Sequence, residues 1–394
     1  MRYINIGKVN KKFLIPVFGG IFRLIHLFLI GYNPKYQIAT KNPFLLTIYT
    51  NIGMFLAFIP YIILIYRSKK SKILSDSKSE SILNIELIHY DIFVKNRASK
   101  YKLIALSSVF DLFQTILGFV FCLKCVYNLW ILDIIFISVF SYFILKSKLY
   151  KHQYLSMVII LILGLVLNVI EYFKLGEIED KFDIFEISMK FLMEIFFSIT
   201  IVIIKYNMEK NYTSPYEICI WAGLFGLILN IIVLIILNRL EVTIDGIKYP
   251  DNYFELMNNY DINDFFVCSS QIIIACIYNI TIFVTCDYFT PVHILITLII
   301  KEFYNHFQKT VNTLYNILGI ITLIFISFTF LIFIEIIELN IFNISYNTKK
   351  NIGIRSKIDS SLDINNTNIT LSDEVEFVEE KIYNPSSEKI LENY

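Results

Sequence analysis

The sequence predicts an all-α polytopic membrane protein of ten transmembrane helices, arranged as two inverted five-helix repeats. Three observations carry that expectation. Apolar residues make up 56% of the 394 positions and charged residues only 18%, with mean hydropathy +0.60, against about 45–50% and about 25% in a soluble globular chain. The apolar excess is gathered into runs near the roughly 20 residues that cross a hydrocarbon core. Lysine and arginine crowd alternate connections between those runs, the asymmetry of a chain whose basic loops stay cytoplasmic.

A basic stretch, 1–12, leads into a first span at 13–32; no small-x-small cleavage site follows it, so it reads as a span and not as a leader. A second span at 44–66 precedes a cytoplasmic loop, 67–101, and spans at 102–122, 126–146 and 153–173 complete a first half, 13–173. The second half, 174–338, holds spans at 187–207, 215–238, 264–286, 291–310 and 312–336, with a longer connection at 239–263. Residues 339–394 turn polar, rich in Asn, Ser and Glu, and read as a disordered cytoplasmic tail. With the N-terminus cytoplasmic, 22 Lys and Arg fall on that side and 8 on the other. Both ends then share a side, and because each half has an odd number of spans the second runs inverted to the first. Asn211, Asn343, Asn365 and Asn368 head glycosylation sequons on the cytoplasmic side, Asn279 heads one inside a span, and none should carry a glycan.

A net charge of +1 gives no field for nucleic acid. Cys122 and Cys125 have zinc-ligand spacing, but no second Cys/His pair completes a site, so the cysteines read as small apolar fillers and no metal or cofactor is expected. No phosphate-binding loop for nucleotide hydrolysis is present in the sequence.

Chemistry is carried by ionisable residues inside the spans, where each costs on the order of 2.5–3.5 kcal/mol at mid-membrane. Arg23 and His26 lie three apart in span one, Asp111 and Gln114 in span three, Asp133 in span four, Lys190 and Glu194 in span six, and Gln271 and Asn279 in span eight. Span nine has most: His293, Thr297, Lys301 and Asn305 recur every fourth residue along one stripe about 18 Å long, with Glu302 and His306 one step round. Lys301, Arg23, Asp133, Asp111, Gln114, Asn279, His293, Thr297 and Asn305 are the candidate solute contacts, and Glu302, Glu194 and His306 the candidate ion- or proton-coupling groups. Bland alternatives stand beside them. Lys190 and Glu194 neutralise each other, Asp111 pairs with Arg23, Lys301 and Glu302 bridge helices, and His306 sits at the interface. Gly19-Gly20 and Gly223/Gly226 suit close helix approach, and Pro60, Pro215 and Pro291 suit span ends or kinks.

Three stretches, NPFLLTIYTNIGMFLAFIPYIIL (42–64), FDLFQTILGFVF (110–121) and YTSPYEICIWAGLFGLIL (212–229), resemble the second, third and seventh spans of the F-branch of solute carrier family 35, EamA-like transporters. The resemblance covers about 11–338 and implies the drug/metabolite transporter superfamily, with ten helices in two inverted halves. Two departures limit what it implies about cargo. The Gly-Ala-Leu-Asn-Lys motif of GDP-mannose carriers is replaced by LIIKEFYNHF, and 239–263 lacks the cysteines of chloroquine-resistance-type transporters. The expectation is a secondary-active, non-enzymatic transporter moving a small anionic or zwitterionic organic solute, a nucleotide sugar among the candidates, by alternating access. Its setting would be an endomembrane (Golgi, ER or a vacuole/lysosome-like compartment), its partners the solute and the bilayer, with a homodimer left open. The competing classes are a membrane-embedded lipid-modifying enzyme using the acidic residues of 239–264, and a scaffold recruiting partners through the acidic stretch 373–380.

Overall fold

A computed structural model describes residues 4–6, 11–32, 43–75, 97–118, 129–175, 184–240, 243–244, 247–248, 262–308 and 313–339. The stretches 76–96 and 249–261, Cys122 and Cys125, and the tail with its sequons lie outside the described residues; 67–75 of the expected loop continue helix α3 instead. Residues 5–338 form one compact unit; of the other, Met1–Ile4 with Leu339–Tyr394, only Ile4 and Leu339 are described.

Eleven α-helices fill the described residues: α1 Leu14–Tyr32, α2 Pro43–Phe55, α3 Phe58–Ser75, α4 Arg97–Ile116, α5 Leu132–Ile144, α6 Lys151–Leu175, α7 Ile184–Asn211, α8 Pro215–Leu240, α9 Ile262–Tyr288, α10 Leu295–Gln308 and α11 Thr313–Phe333. Strands are short: β1 Ile4–Ile6, an antiparallel pair β2 Thr243–Ile244 and β3 Ile247–Lys248 within the long connection, and β4 Ile337–Leu339. The break between α2 and α3 falls just before Pro60, whose ring cannot sit against a continuing helix and whose nitrogen has no hydrogen to donate. Thr47–Tyr66 nonetheless reads as one span.

Six stretches are long and apolar enough to cross a bilayer: Thr47–Tyr66, Lys151–Phe173, Ile184–Asn211, Pro215–Ile236, Phe265–Tyr288 and Leu314–Phe333. The chain is a multi-pass membrane protein by that measure. Leu14–Leu29 and Leu129–Ile144 are apolar but shorter. Two of the expected spans depart from a plain helix in the same way. The fourth opens with a 3₁₀ turn, Leu129–Ile131, before the 13-residue α5, and the ninth opens with a 3₁₀ turn, Pro291–Ile294, before the 14-residue α10. Each α-helical part is about 20 Å long, well short of a core about 30 Å thick.

Helix α6 shows how this sequence solves burial in lipid. Its inward face carries His152, Ser156, Ile160, Leu167 and Glu171, all buried, while Leu155, Val158, Ile162, Leu165 and Val169 point outward and exposed. A soluble helix does the reverse; here lipid covers the apolar stripe and protein covers the polar one.

The helices pair in a definite pattern. α4 packs along α7 and α1 along α9; α8 lies against α4 and α2 against α9; α5 meets α7 and α10 meets α1; α2 pairs with α8 and α6 with α11. Two apolar cores result. One joins Trp130, Ile134 and Ile137 to Leu295, Ile299, Leu323 and Phe330. The other joins Met54, Ala57 and Ile104 to Ile204, Ile218, Ala222 and Ile282. Each draws on residues both before and after 174. The expected close approach at Gly223 and Gly226 is present. A Cβ at Gly223 would come within 2.6 Å of Phe55 N and 2.7 Å of Asn51 O, so α8 rides backbone on backbone over α2.

Candidate functional site

Four helices deliver ionisable side chains to one region. α1 carries Arg23, α5 carries Asp133, α7 carries Lys190 and Glu194, and α10 carries Lys301 and Glu302. Gly20 makes the α1–α10 approach close enough that a Cβ there would overlap Ile300, which lets Arg23 and Lys301 feel each other's charge. Lys301 Nζ lies 3.6 Å from Glu302 Oε1, which also accepts a hydrogen bond of 3.3 Å from Asn305 Nδ2. The charges of Lys190 and Glu194 bear on Lys301 as well.

On α7, Lys190 Nζ sits 3.5 Å from Glu194 Oε1, the contact expected of residues four apart. Glu194 is buried beside the wholly buried carboxylate of Asp133. One turn further along α7, Ser198 Oγ donates to Asp133 Oδ1 at 3.1 Å, and the carboxyl groups of Asp133 and Glu194 hydrogen-bond each other. The Arg23 guanidinium stacks over the Tyr278 ring, 5.0 Å from its centroid, and its buried Nε has no hydrogen-bond partner among the described residues. Three basic and three acidic side chains from distant parts of the chain thus meet in one neighbourhood, two of the acids joined to each other. Mutual compensation is the physical condition under which such residues persist in a membrane.

The other sequence candidates divide. Asn305 joins the cluster through Glu302. Thr297 is buried on the α1-facing side of α10; its hydroxyl donates to Ile294 O at 2.7 Å and its methyl lies 3.4 Å from where a Gly19 Cβ would stand. His293 lies in the 3₁₀ turn that heads α10, not in the α-helix itself, and in such a turn each residue advances about 120° instead of 100°. Its Nδ1 is 2.9 Å from Thr290 Oγ1 and its ring stacks on Phe289 at 4.9 Å. Asn279 commits its amide to Ala275 O, one turn back, at 2.8 Å. Asp111 makes no pair with Arg23, and no charged group bears on it among the described residues. Gln114, on the same helix, makes no side-chain hydrogen bond among the described residues. His26 is buried one turn beyond Arg23.

His306 is enclosed by protein. It is 1% exposed, with Nε2 2.9 Å from Glu171 Oε1 of α6 and Nδ1 3.2 Å from Glu302 O. A Cβ at Gly319 would come 2.6 Å from its ring, so the imidazole fills a slot that α11 leaves open. At the other end of α6, His152 Nε2 lies 3.2 Å from Glu335 Oε1. Two His–Glu contacts therefore tie α6 to α10 and to the turn that follows α11.

Lys100 and Glu217 escaped the sequence reading. Lys100 counts there among the loop cations, but α4 already begins at Arg97 and buries it to 1% exposure, with Nζ 2.5 Å from Glu217 Oε1. Asn207 Nδ2 donates to Lys100 O at 3.2 Å, and Asn211 Nδ2 to Asn207 Oδ1 at 2.6 Å. Glu171 was legible only as a carboxylate at the end of an apolar run. Nothing local in the sequence marks either pairing. Cys219, Cys268, Cys276 and Cys286 are free thiols, and among the described residues no group of three His, Cys, Asp or Glu is placed to hold a metal ion.

No protein family matches this chain, and no curated protein matches it.

Proposed function

We propose that the chain is a secondary-active carrier of the drug/metabolite transporter kind. It moves a small anionic or zwitterionic organic solute by alternating access through ten spans in two inverted halves. One observation carries the reading. Asp133 on α5 and Lys301 with Glu302 on α10 belong to the two short helices headed by 3₁₀ turns, and these occupy corresponding places, fourth and ninth, in the two halves. Short or interrupted helices at matched positions are where carriers with inverted repeats hold their cargo, because non-helical backbone is tolerated at membrane depth only beside a polar site.

The helix pairing supports the same reading. Counting α2 with α3 as one span, replace each span by the one five places on. The pairing of α4 with α7 becomes that of α9 with α1, α4 with α8 becomes α9 with α2, and α5 with α7 becomes α10 with α1. The pairs α2–α8 and α6–α11 map onto themselves. A two-fold relation between the halves accounts for this pattern, with the second–seventh and fifth–tenth pairs straddling its axis. Placing both ends in the cytoplasm of an endomembrane rests on the lysine and arginine asymmetry and on the family resemblance. The sequon at Asn211 agrees, since that side chain is buried and bonded to Asn207.

The test is reconstitution of the full chain into proteoliposomes, with uptake measured across nucleotide sugars, organic anions and amino acids. Saturable uptake that falls at least tenfold in Lys301→Ala is expected. Retention of full uptake by that variant removes Lys301 from the site, and absence of flux for every solute ends the carrier reading.

A further inference from the structure

Resting on the carrier reading, we propose that the ion driving transport is a proton, held between the carboxyl groups of Asp133 and Glu194, and that it travels together with an anionic cargo. Ionised carboxylates only accept hydrogen bonds, so a hydrogen bond between two of them requires that one carry a proton. Asp133 on α5 and Glu194 on α7 make that bond. Asp133 is wholly buried and Glu194 is 4% exposed. Two like charges so placed in a low dielectric repel, and sharing one proton is how paired carboxyl groups relieve it. Ser198 Oγ anchors Asp133 Oδ1 at 3.1 Å, and Lys190 Nζ anchors Glu194 Oε1 at 3.5 Å.

The surroundings decide the sign of the cargo. Lys190 and Lys301 bear on Glu194, Lys190 bears on Asp133, and Arg23 bears in turn on Lys301. Other ionisable groups on the elements packed against α5 and α7 are engaged elsewhere. Lys100 is closed onto Glu217, His152 lies against Glu335, and His293 meets Thr290 Oγ1, while no charged group bears on Asp111 among the described residues. A bound proton therefore cancels one negative charge facing three basic side chains. The site then favours an anion, and by reciprocity a bound anion favours the proton; a cationic cargo would compete with it. Arg23 offers the anion a place. Its buried Nε has no hydrogen-bond partner among the described residues, and three positions along α1 the Nδ1 of His26, 5% exposed, has none either. A guanidinium fork suits a carboxylate, sulfonate or phosphate. Moving one proton with one negative charge also leaves the bundle's net charge the same when empty and when loaded, the lower-energy course in a low dielectric.

The experiment uses the full chain in proteoliposomes with trapped pyranine reporting internal pH, and labelled L-lactate, succinate, UDP-glucose, glycine and putrescine as probes. With the outside made acidic, at least one of the anions should accumulate beyond protein-free vesicles, its addition should speed acidification of the lumen, and a protonophore should abolish the accumulation. Asp133→Asn and Glu194→Gln should each lower that accumulation at least tenfold, and the anion exchange that remains at equal pH should no longer strengthen as pH falls. Misfolding removes accumulation and exchange alike, whereas Asp133→Glu, which keeps a carboxyl group there, should restore part of the accumulation. A second measurement needs no flux: the infrared carbonyl band of a buried, protonated carboxyl group should be present in the wild type at neutral pH, and its absence overturns the shared proton. Anion uptake indifferent to the pH gradient, or uptake confined to glycine or putrescine, overturns the proton–anion assignment and leaves the carrier standing. Absence of uptake of every probe overturns both.

Discussion

Two lysines are held inside this helical bundle, and they are held differently. Lys100 is closed off: 1% exposed, 2.5 Å from one carboxylate, its own carbonyl bonded to Asn207, and its ammonium 5.9 Å from the Tyr101 ring centre. Lys301 keeps 31% of its side chain exposed, lies 3.6 Å from Glu302, and shares the field of Glu194 with Lys190. The first arrangement is a finished pair that ties α4 to α8. The second is a loose network with capacity to spare, and a binding site needs that looseness, since a group already saturated gains nothing from a ligand.

Breaking the finished pair should have the largest effect. Lys100→Ala leaves Glu217 as a buried charge without its cation, a change that costs about 3–5 kcal/mol. It should be read as a large drop in the thermal midpoint of the detergent-solubilised protein. Replacing both partners, Lys100→Met with Glu217→Leu, should recover most of that loss. A Lys100→Ala protein as stable as wild type would erase the contrast drawn here. Next comes the helix contact beside that pair. Gly223→Ala puts a methyl against the backbone of Asn51 and Phe55 and should cost about 1–3 kcal/mol, seen in the same measurement.

Lys301→Ala sharpens the comparison from the other side. Its stability cost should stay at about 1 kcal/mol or less, as for a partly exposed pair, while uptake falls at least tenfold. A large loss of stability would make Lys301 a second Lys100. The smallest effect belongs to Asn279→Ala, whose amide only back-bonds within α9. Stability within about 0.5 kcal/mol of wild type and unchanged flux are expected, and a strong transport defect would return Asn279 to the site.

Much of the architecture was legible from composition. Each of the ten apolar runs contains a helix, and Gly223 sits where two backbones meet, with Gly226 against the Asn51 side chain. Part of the site was legible for the same reason, because an ionisable residue in a greasy run stands out against its neighbours. Arg23, Asp133, Glu194, Lys301 and Glu302 were found that way. The 3₁₀ turn that holds His293 was not legible, because a period of 3.6 does not register a local tightening to three residues per turn. Lys100 was misplaced because a lysine close to a loop looks like any loop lysine until a carboxylate from another helix closes over it.

Alone, then, the sequence determined which segments are apolar enough to suit a bilayer and which of them carry charge, because hydropathy sums over neighbours along the chain. Only the tertiary structure decided which charges meet. Ser198 reaches Asp133 across 65 positions, His306 finds Glu171, and Lys190 and Lys301 converge from separate helices. A pairing energy depends on distance in space and on the dielectric around it, and neither quantity is written in the order of the residues.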